Sequence, residues 1–251
     1  MNNYLVNITF NGTDFAGTQI QPGYSTIQGL FMQIISNYLN EEVKITCCSR
    51  LDKGVHAENF YFNFKTEKEL DFYRFQYYLN NFTPQSVRIN NLQKVKEDFS
   101  SRYHAKKKVY CYSIHFGEKL PFNYQTVYLS PYPQKRDVKD IDLSIFLGEH
   151  DFRNFSSDDD AESFVSELES VEIKHLEKDN IYQIYVTGKS FFRYQVRYIA
   201  GAIYEMMIGK KSEDDIGEML ESTLYTKHKL KLPGQGLILK EVIYDKEDLD
   251  V

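Results

Sequence analysis

The order of strand-type and helix-type hydrophobic patterns over the first 96 residues is the feature that most restricts the fold. Apolar and polar residues alternate from Tyr4 to Phe10, which is typical of a half-buried strand. A helical pattern follows to about Leu39, then a strand–loop–strand, a second helix over about 68–81 and a strand over about 86–96. This β-α-β-β-α-β order predicts a ferredoxin-like half, with a mainly antiparallel sheet and helices on one face.

The second half repeats the same alternation loosely. Strands are predicted at 108–116, 124–129, 166–175, 181–188 and 236–244, with helices at 137–147, 192–208 and 212–221. We therefore predict an α+β fold of two ferredoxin-like-related halves, residues 1–104 and 105–251, whose mainly antiparallel sheets flank a central cleft.

Charge is distributed unevenly between the two ends of the chain. Residues 1–136 hold 16 Lys and Arg against 11 Asp and Glu (16 − 11 = +5), whereas residues 137–251 hold 14 against 25 (14 − 25 = −11). The densest basic run is RYHAKKK, from Arg102 to Lys108, and an aromatic strand follows it directly. Basic residues beside aromatic ones suit phosphate contact and base stacking, although a solvated surface run has the same composition.

Composition argues against several other classes of protein. No apolar run approaches the ~18 residues of a membrane-spanning helix. The start, MNNYLVNITF, reads as a strand and lacks the layout of a signal peptide. Three cysteines, two of them adjacent at Cys47 and Cys48, form neither a disulfide framework nor a metal-ligand spacing. We expect a cytoplasmic protein that contacts neither membrane nor DNA.

The stretch SRLDKGVHA, from Ser49 to Ala57, lies between two predicted strands. Asp-Lys-Gly alone indicates an ordinary turn. A second interpretation is a catalytic carboxylate at the rim of a sheet, where neighbouring cations keep Asp52 ionised. His56 is expected to hold the loop together rather than to act in catalysis.

Six segments in collinear order favour the second interpretation. They are FNGTDFAGTQIQPGYSTIQGLF, SRLDKGVHA, KKKVYCYSI, GEHDFRNFSS, SFFRYQVRYIAGAIYEMMIGK and LPGQGLILKEVIYD, and they extend from about residue 8 to residue 244. Each resembles a segment of the tRNA pseudouridine synthase A family, and SRLDKGVHA resembles its signature G-R-T-D-A-G-V-H-A. Six ordered matches are far more specific than one short motif.

The resemblance implies an RNA-modifying isomerase that needs no metal or other cofactor. It places the catalytic aspartate at Asp52, its partner arginine at Arg197, the base-stacking tyrosine at Tyr110 and an aliphatic wall of the uracil pocket at Leu237. Four cations are implied in substrate binding: Arg50, Lys53, Lys107 and Lys108. The implied substrate is tRNA, at uridines 38, 39 and 40 of the anticodon stem-loop, and the implied assembly is a homodimer.

The chain departs from the family pattern beside the catalytic aspartate. Leu51 and Lys53 stand where the family usually has threonine and alanine, and Thr18 stands where tryptophan is usual. The Leu51 side chain lacks a hydroxyl that could hold the loop. Farther along the chain, the acidic segment from Asp158 to Glu172 occupies a region where the family usually carries arginine and threonine, and like charges there would repel a phosphate backbone.

Three alternatives remain open from the sequence. One is a pseudouridine synthase that acts on another RNA, such as ribosomal RNA. Another is an inert RNA-binding module of the same fold. The third is a metal-dependent phosphoesterase built on Asp158, Asp159 and Asp160, although three consecutive carboxylates point in different directions.

Overall fold

The computed structural model describes residues 1–119, 121–157, 162–222, 224, 226, 228 and 230–249. Its strands are β1 (Asn2–Phe10), β2 (Ile45–Cys47), β3 (His56–Thr66), β4 (Val87–Val95), β5 (Lys107–His115), β6 (Tyr128–Leu129), β7 (Gly148–Asp151), β8 (Val165–Leu176), β9 (Ile181–Gly188) and β10 (Leu237–Ile243). Its helices are α1 (Ile27–Leu39), α2 (Phe72–Phe82), α3 (Gln195–Met207), α4 (Glu213–Glu221) and α5 (Lys246–Leu249).

The residues pack into two compact units. Unit 1 comprises Met1–Lys108 and Ile238–Val251, and unit 2 comprises Val109–Leu237. The predicted domain boundary at residue 104 stays a prediction. The α+β class with mainly antiparallel strands is confirmed.

The sheet of unit 1 has the strand order β4-β1-β3-β10, with β2 also paired to β3. β1 runs antiparallel to both β3 and β4, and β10 runs parallel to β3. Along the chain the first six elements are β1, α1, β2, β3, α2 and β4, which is the predicted ferredoxin-like order. β2 and β3 are antiparallel neighbours, so the chain between them returns at one end of the sheet.

Aromatic side chains fill the core of unit 1. The Phe31 ring on α1 lies 4.7 Å from the Phe62 ring on β3, and Phe75 on α2 lies 5.9 Å from Phe64. All four rings are buried, and each stabilises the fold by roughly 1.5–3 kcal/mol relative to exposure. The side chains predicted for one face of β1, from Tyr4 to Phe10, are buried, while on the other face Leu5 is buried as well and Asn7 and Thr9 are half-buried.

The sheet of unit 2 has the order β5-β9-β8-β7, with β6 paired in parallel to β5. β8 and β9 form a long antiparallel hairpin, with pairs such as Ile173 opposite Ile184. Every residue of α3 except Glu205 is buried. A helix surrounded on all sides by protein holds its side chains in fixed positions.

The helix predicted over 137–147 is wrong. Two short 3-10 turns, Val138–Asp140 and Ser144–Phe146, occupy this stretch. The Asp137 carboxylate accepts from the Lys139 N–H at 3.0 Å, and the Asp142 carboxylate accepts from the Ser144 N–H at 2.8 Å. Such local side-chain bonds compete with helical ones.

Two strand predictions in the second half also need correction. The strand predicted over 124–129 is reduced to the two residues of β6, and the four-residue β7 was not predicted. Among the residues that the structure describes, no helix is both long and apolar enough to cross a bilayer.

Candidate active site

Asp52 begins a tight turn between β2 and β3. The Val55 N–H donates to the Asp52 carbonyl oxygen at 3.1 Å, and Gly54 has a φ of +78°. Glycine adopts this backbone conformation at little cost, whereas other residues are strained by it. The predicted turn is present, and it leaves Asp52 half-buried between the exposed neighbours Arg50 and Lys53.

Thr18 binds the chain on the N-terminal side of Asp52. Its backbone N–H donates to the Leu51 carbonyl oxygen at 3.0 Å, and its Oγ1 accepts from the Leu51 N–H at 2.9 Å. The same hydroxyl donates to the Ser49 carbonyl oxygen at 3.3 Å. Gly17 and Asp52 also form an antiparallel bridge. Three hydrogen bonds from the fully buried Thr18 therefore fix the backbone that leads into Asp52.

Gly12 and His56 bind the chain on the other side of the turn. The Gly12 N–H donates to Nδ1 of the buried His56 at 2.9 Å. A Cβ atom on Gly12 would lie only 2.0 Å from the Val55 carbonyl oxygen, so the two backbones touch there. The predicted structural role of His56 agrees with this bond, in which Nδ1 accepts and Nε2 carries the proton.

Tyr110 lies on β5, inside unit 2, and is buried. The Phe191 ring contacts it edge-to-face, with ring centroids 5.1 Å apart and an interplanar angle of 84°. This contact fixes the plane of the tyrosine ring. The Tyr110 ring therefore has a defined orientation, which a base-stacking residue needs.

Arg197 lies in the first turn of α3 and is buried. Its Nε donates to the Leu232 carbonyl oxygen at 2.7 Å, and its guanidinium carbon lies 4.8 Å from the centroid of the Tyr194 ring. A Cβ on Gly201 would lie 2.1 Å from the Leu230 carbonyl oxygen, so the 230–232 segment packs directly on α3. These contacts hold the guanidinium in one orientation.

Leu237 is held in place through Tyr112. The Tyr112 hydroxyl donates to the Pro233 carbonyl oxygen at 2.8 Å, and a Cβ on Gly236 would lie 2.6 Å from the Tyr112 ring. Burial raises the pKa of Tyr112 well above its usual value, so its hydroxyl stays protonated and remains a donor. The Gly234–Gly236 turn therefore has a fixed position before the buried Leu237.

Comparison with known proteins assigns the chain to a family. A family model described as "tRNA pseudouridine synthase" matches residues 143–245. Over 247 residues the chain is 36% identical to the tRNA pseudouridine synthase A of Aquifex aeolicus, covering 97% of this chain and 100% of the relative. The protein of the same name from Caldicellulosiruptor bescii is 34% identical over 248 residues, again covering 97% and 100%.

The chain belongs to the tRNA pseudouridine synthase family. A relative named tRNA pseudouridine synthase A 2, from Bacillus cereus, is 32% identical over 246 residues, covering 96% of this chain and 99% of the relative. The collinear resemblance found in the sequence is thereby confirmed, because these matches extend over nearly the full length.

The predicted site residues of this family member fall into two groups. Arg50, Asp52 and Lys53 lie on one loop of unit 1. Tyr110, Arg197 and Leu237 lie in unit 2. The backbone before Asp52 and the side chains of Arg197 and Tyr110 are each held by contacts within their own unit.

Lys107 and Lys108, two of the cations implied in substrate binding, are not fully exposed. Both are half-buried on β5. Burial lowers the pKa of the Lys108 ammonium, and the positive charge of Arg102 lowers it further. The basic run is therefore not a uniformly solvated patch.

Sequence reasoning missed Tyr112 and Gly236 as residues that support the site, and it noted Thr18 only as a departure from the pattern. All three act through contacts with residues distant in the chain, such as Thr18 with Leu51. A signal for Thr18 was present. Relative to the family pattern, the chain gains a hydroxyl at position 18 and loses one at position 51.

Metal ligation finds no support in the part of the chain that the structure describes. There, no three His, Cys, Asp or Glu side chains are grouped to hold an ion. Asp158, Asp159 and Asp160, the residues of the phosphoesterase hypothesis, lie outside the described residues.

Proposed function

We propose that this enzyme converts uridines 38, 39 and 40 of the tRNA anticodon stem-loop to pseudouridine, with Asp52 as its catalytic carboxylate. Family membership supports uridine isomerisation in tRNA. The observation that supports the choice of Asp52 is the fixation of its turn, where both backbone groups of Leu51 are bound to Thr18. A reacting carboxylate on a fixed turn keeps one attack geometry.

The reaction is balanced without an oxidant, a reductant or a co-substrate. The C1′–N1 bond breaks, the uracil rotates, and a C1′–C5 bond forms. The proton on C5 leaves to a base, and N1 gains a proton. Asp52 attacks C1′ or C6, or assists the formation of a glycal, and in each case the ionised carboxylate is the reactive form.

Three residues of unit 2 have supporting roles in this proposal. The Arg197 guanidinium keeps the carboxylate ionised and oriented. The ring of Tyr110 stacks on the detached uracil, and its phenol is positioned to take the C5 proton. Leu237 closes the apolar side of the pocket and excludes water. All three side chains are buried, which suits such positioning.

Cations of unit 1 contact the RNA backbone in this proposal. Arg50 and Lys53 are exposed on either side of Asp52, where they would meet phosphates beside the flipped nucleotide. Flipping costs a few kcal/mol, which these backbone contacts offset. Lys107 and Lys108, half-buried, would contact phosphate through their ends while their stems stay packed.

The proposed setting is a homodimer in the cytoplasm. The family resemblance supports the dimer, and the three cysteines, all of them free thiols, suit a reducing compartment. Sedimentation of the purified protein tests the dimer directly, since a monomer at micromolar concentration would contradict it.

The decisive test is tritium release from tRNA labelled at C5 of uridine. Wild type is compared with Asp52→Asn, which keeps the size of the side chain but not its charge. Asp14→Asn is the matched control, since Asp14 is an exposed carboxylate on the neighbouring loop. We expect Asp52→Asn to lower turnover on the order of 10⁴-fold or more and Asp14→Asn to leave it within about twofold.

Substrate choice is tested in the same assay with ribosomal RNA fragments and with tRNAs carrying cytidine at positions 38, 39 and 40. Loss of release from the substituted tRNAs supports the anticodon positions. Release from ribosomal RNA alone would keep the reaction and overturn the substrate. No release from any RNA, with tight tRNA binding intact, would favour the inert binding module.

A further inference from the structure

The turn at residues 101–104 presents an aromatic ring and a cation to solvent. Tyr103 is 77% exposed, and the guanidinium carbon of Arg102 lies 5.3 Å from the centroid of its ring. Aromatic rings favour burial, and this chain buries most of its phenylalanines. The Arg102–Tyr103 pair therefore contributes little to the core and is accessible to a binding partner.

Buried hydrogen bonds hold this turn on its N-terminal side. Ser101 is fully buried, and its N–H donates to Oδ1 of Asn63 on β3 at 2.9 Å. Its Oγ donates to the Thr46 carbonyl oxygen on β2 at 2.7 Å, and its own carbonyl oxygen accepts from the Tyr244 hydroxyl at 2.7 Å. Every polar group of Ser101 is thus engaged, so the backbone next to Arg102 has a fixed position.

The C-terminal side of the turn is held by His104. Its Nδ1 accepts from the Ser100 N–H at 3.1 Å, and its ring stacks on Phe99 at 5.2 Å. The next residue, Ala105, is buried. Arg102 and Tyr103 are therefore two exposed side chains on a rigid backbone, which lowers the entropy cost of binding through them.

The stretch of chain that holds the turn is basic. Between Asp98 and Glu118 the chain has four Lys and Arg residues and no carboxylate. Lys106 is paired with Asp245 at 2.9 Å, and Lys108 is half-buried. Within the described residues no carboxylate lies within 4 Å of the Arg102 guanidinium. An exposed cation on an exposed ring matches a nucleotide, which offers both a phosphate and a base.

We propose that Arg102 and Tyr103 form a second tRNA contact, in which the tyrosine ring stacks on an unpaired base and the guanidinium binds a neighbouring phosphate. The inference rests on the proposed function, because tRNA is the RNA concerned. We call this pair the Arg102–Tyr103 platform.

The platform lies away from the catalytic turn. Its anchors Thr46 and Asn63 face each other on β2 and β3, and Asn63 is seven residues along β3 from His56. At the rise of a β-strand, that separation is about 23 Å. In this proposal the base bound there lies outside the anticodon stem-loop. Full-length tRNA therefore uses the platform, and an excised stem-loop does not.

The test compares dissociation constants for a full-length tRNA transcript and for its excised anticodon stem-loop. The variants are Tyr103→Ser, Tyr103→Phe and Arg102→Gln. Tyr73→Ser and Arg74→Gln are matched controls: Tyr73 on α2 is 82% exposed and is also adjacent to an exposed arginine. All these side chains are exposed, and thermal unfolding confirms that each variant is folded.

We expect Tyr103→Ser to weaken full-length tRNA about tenfold, as the loss of one base–aromatic stack does, and to change stem-loop binding less than about twofold. Tyr103→Phe keeps the wild-type affinity because it keeps the ring. Arg102→Gln lowers the slope of log affinity against log salt by about 0.7–0.9, the effect of one phosphate contact. KM for tRNA rises and kcat stays unchanged.

Four results would overturn the platform: wild-type tRNA affinity in Tyr103→Ser, an equal loss in Tyr73→Ser, an equal loss for both RNAs, or a change in oligomeric state. The last would make this surface a contact between copies of the chain. Dissociation constants report binding rather than the rate of isomerisation, so these results do not depend on the role of Asp52. An active Asp52→Asn would overturn the catalytic assignment and leave the platform intact.

Discussion

The Thr18 hydroxyl accepts a hydrogen bond from the backbone N–H of Leu51, 33 residues later in the chain, at 2.9 Å. Since Leu51 immediately precedes Asp52, this buried hydroxyl helps to fix the backbone position of the proposed catalytic carboxylate. The resemblance to the family places threonine at position 51 and tryptophan at position 18. In this chain position 18, rather than position 51, supplies the hydroxyl, and the Leu51 side chain is buried.

Thr18→Val removes that hydroxyl at nearly constant volume. The Leu51 N–H then loses its partner, which costs about 1–3 kcal/mol of folding free energy. We expect kcat to fall roughly 10–100-fold, because a small displacement of a reacting group is costly, with KM nearly unchanged. Steady-state kinetics and urea unfolding measure both effects. Thr18→Ser keeps the hydroxyl and should retain kcat; equal losses in both variants would show that the methyl group matters instead.

Gly17→Ala tests the bridge between Gly17 and Asp52. Gly17 has a φ of +112°, and a Cβ there would lie 2.6 Å from the Leu51 carbonyl oxygen. Gly23 also has a positive φ, +80°, but a Cβ there has nothing within 4 Å. Gly23→Ala should therefore cost only about 1–2 kcal/mol of backbone strain. We expect Gly17→Ala to cost more and to lower kcat at least tenfold. Similar activity in both variants would contradict the bridge as a constraint on Asp52.

Arg197→Lys separates charge from orientation. Lysine keeps the positive charge but cannot reproduce the planar guanidinium, whose Nε donates to the Leu232 carbonyl oxygen. We expect kcat to fall about 100-fold with little change in KM, measured by tritium release from tRNA. Arg193→Lys is the control, since Arg193 lies 4.9 Å from the same Tyr194 ring but is exposed. An equal effect in both variants would show that contact with the Tyr194 ring, rather than the orientation of Arg197, causes the loss.

The ion pair between Arg136 and Glu213 predicts a pH dependence of stability. Two guanidinium nitrogens donate to the Glu213 carboxylate at 2.9 and 2.7 Å, which lowers the pKa of Glu213 from its ordinary 4.5 to about 2. The folded state therefore holds its proton less tightly than the unfolded state. The resulting stability is complete above about pH 4.5 and is lost as the pH falls towards 2.

Glu213→Gln should consequently destabilise the protein by about 1–2 kcal/mol at pH 7, with a smaller difference at pH 3.5. Urea midpoints at pH 7, 5 and 3.5 measure this trend. Glu218→Gln, an exposed position on the same helix, should change stability little at any of these pH values. A Glu213→Gln penalty that grows as the pH falls would show that the pair is not the cause.

Hydrophobic periodicity determined most of the elements in advance, because burial on one side of a strand or helix leaves a repeating pattern. The first six elements follow it in the predicted order, and β8, β9, α3 and α4 also match closely. The wrong predictions have local causes. Hydrogen bonds from the backbone to the Asp137 and Asp142 side chains favour 3-10 turns where a helix was predicted. β7 has four residues, too few for a periodic signal.

The sequence by itself determined the family, because six segments keep their order, and its recognisable signature predicted Asp52 as the catalytic residue. Only the tertiary structure decided how that aspartate is held. Thr18, Gly12 and His56 reach its turn through hydrogen bonds and backbone contacts with residues more than 30 positions away. Such contacts depend on how strands pair in space, and no local pattern in the chain records them.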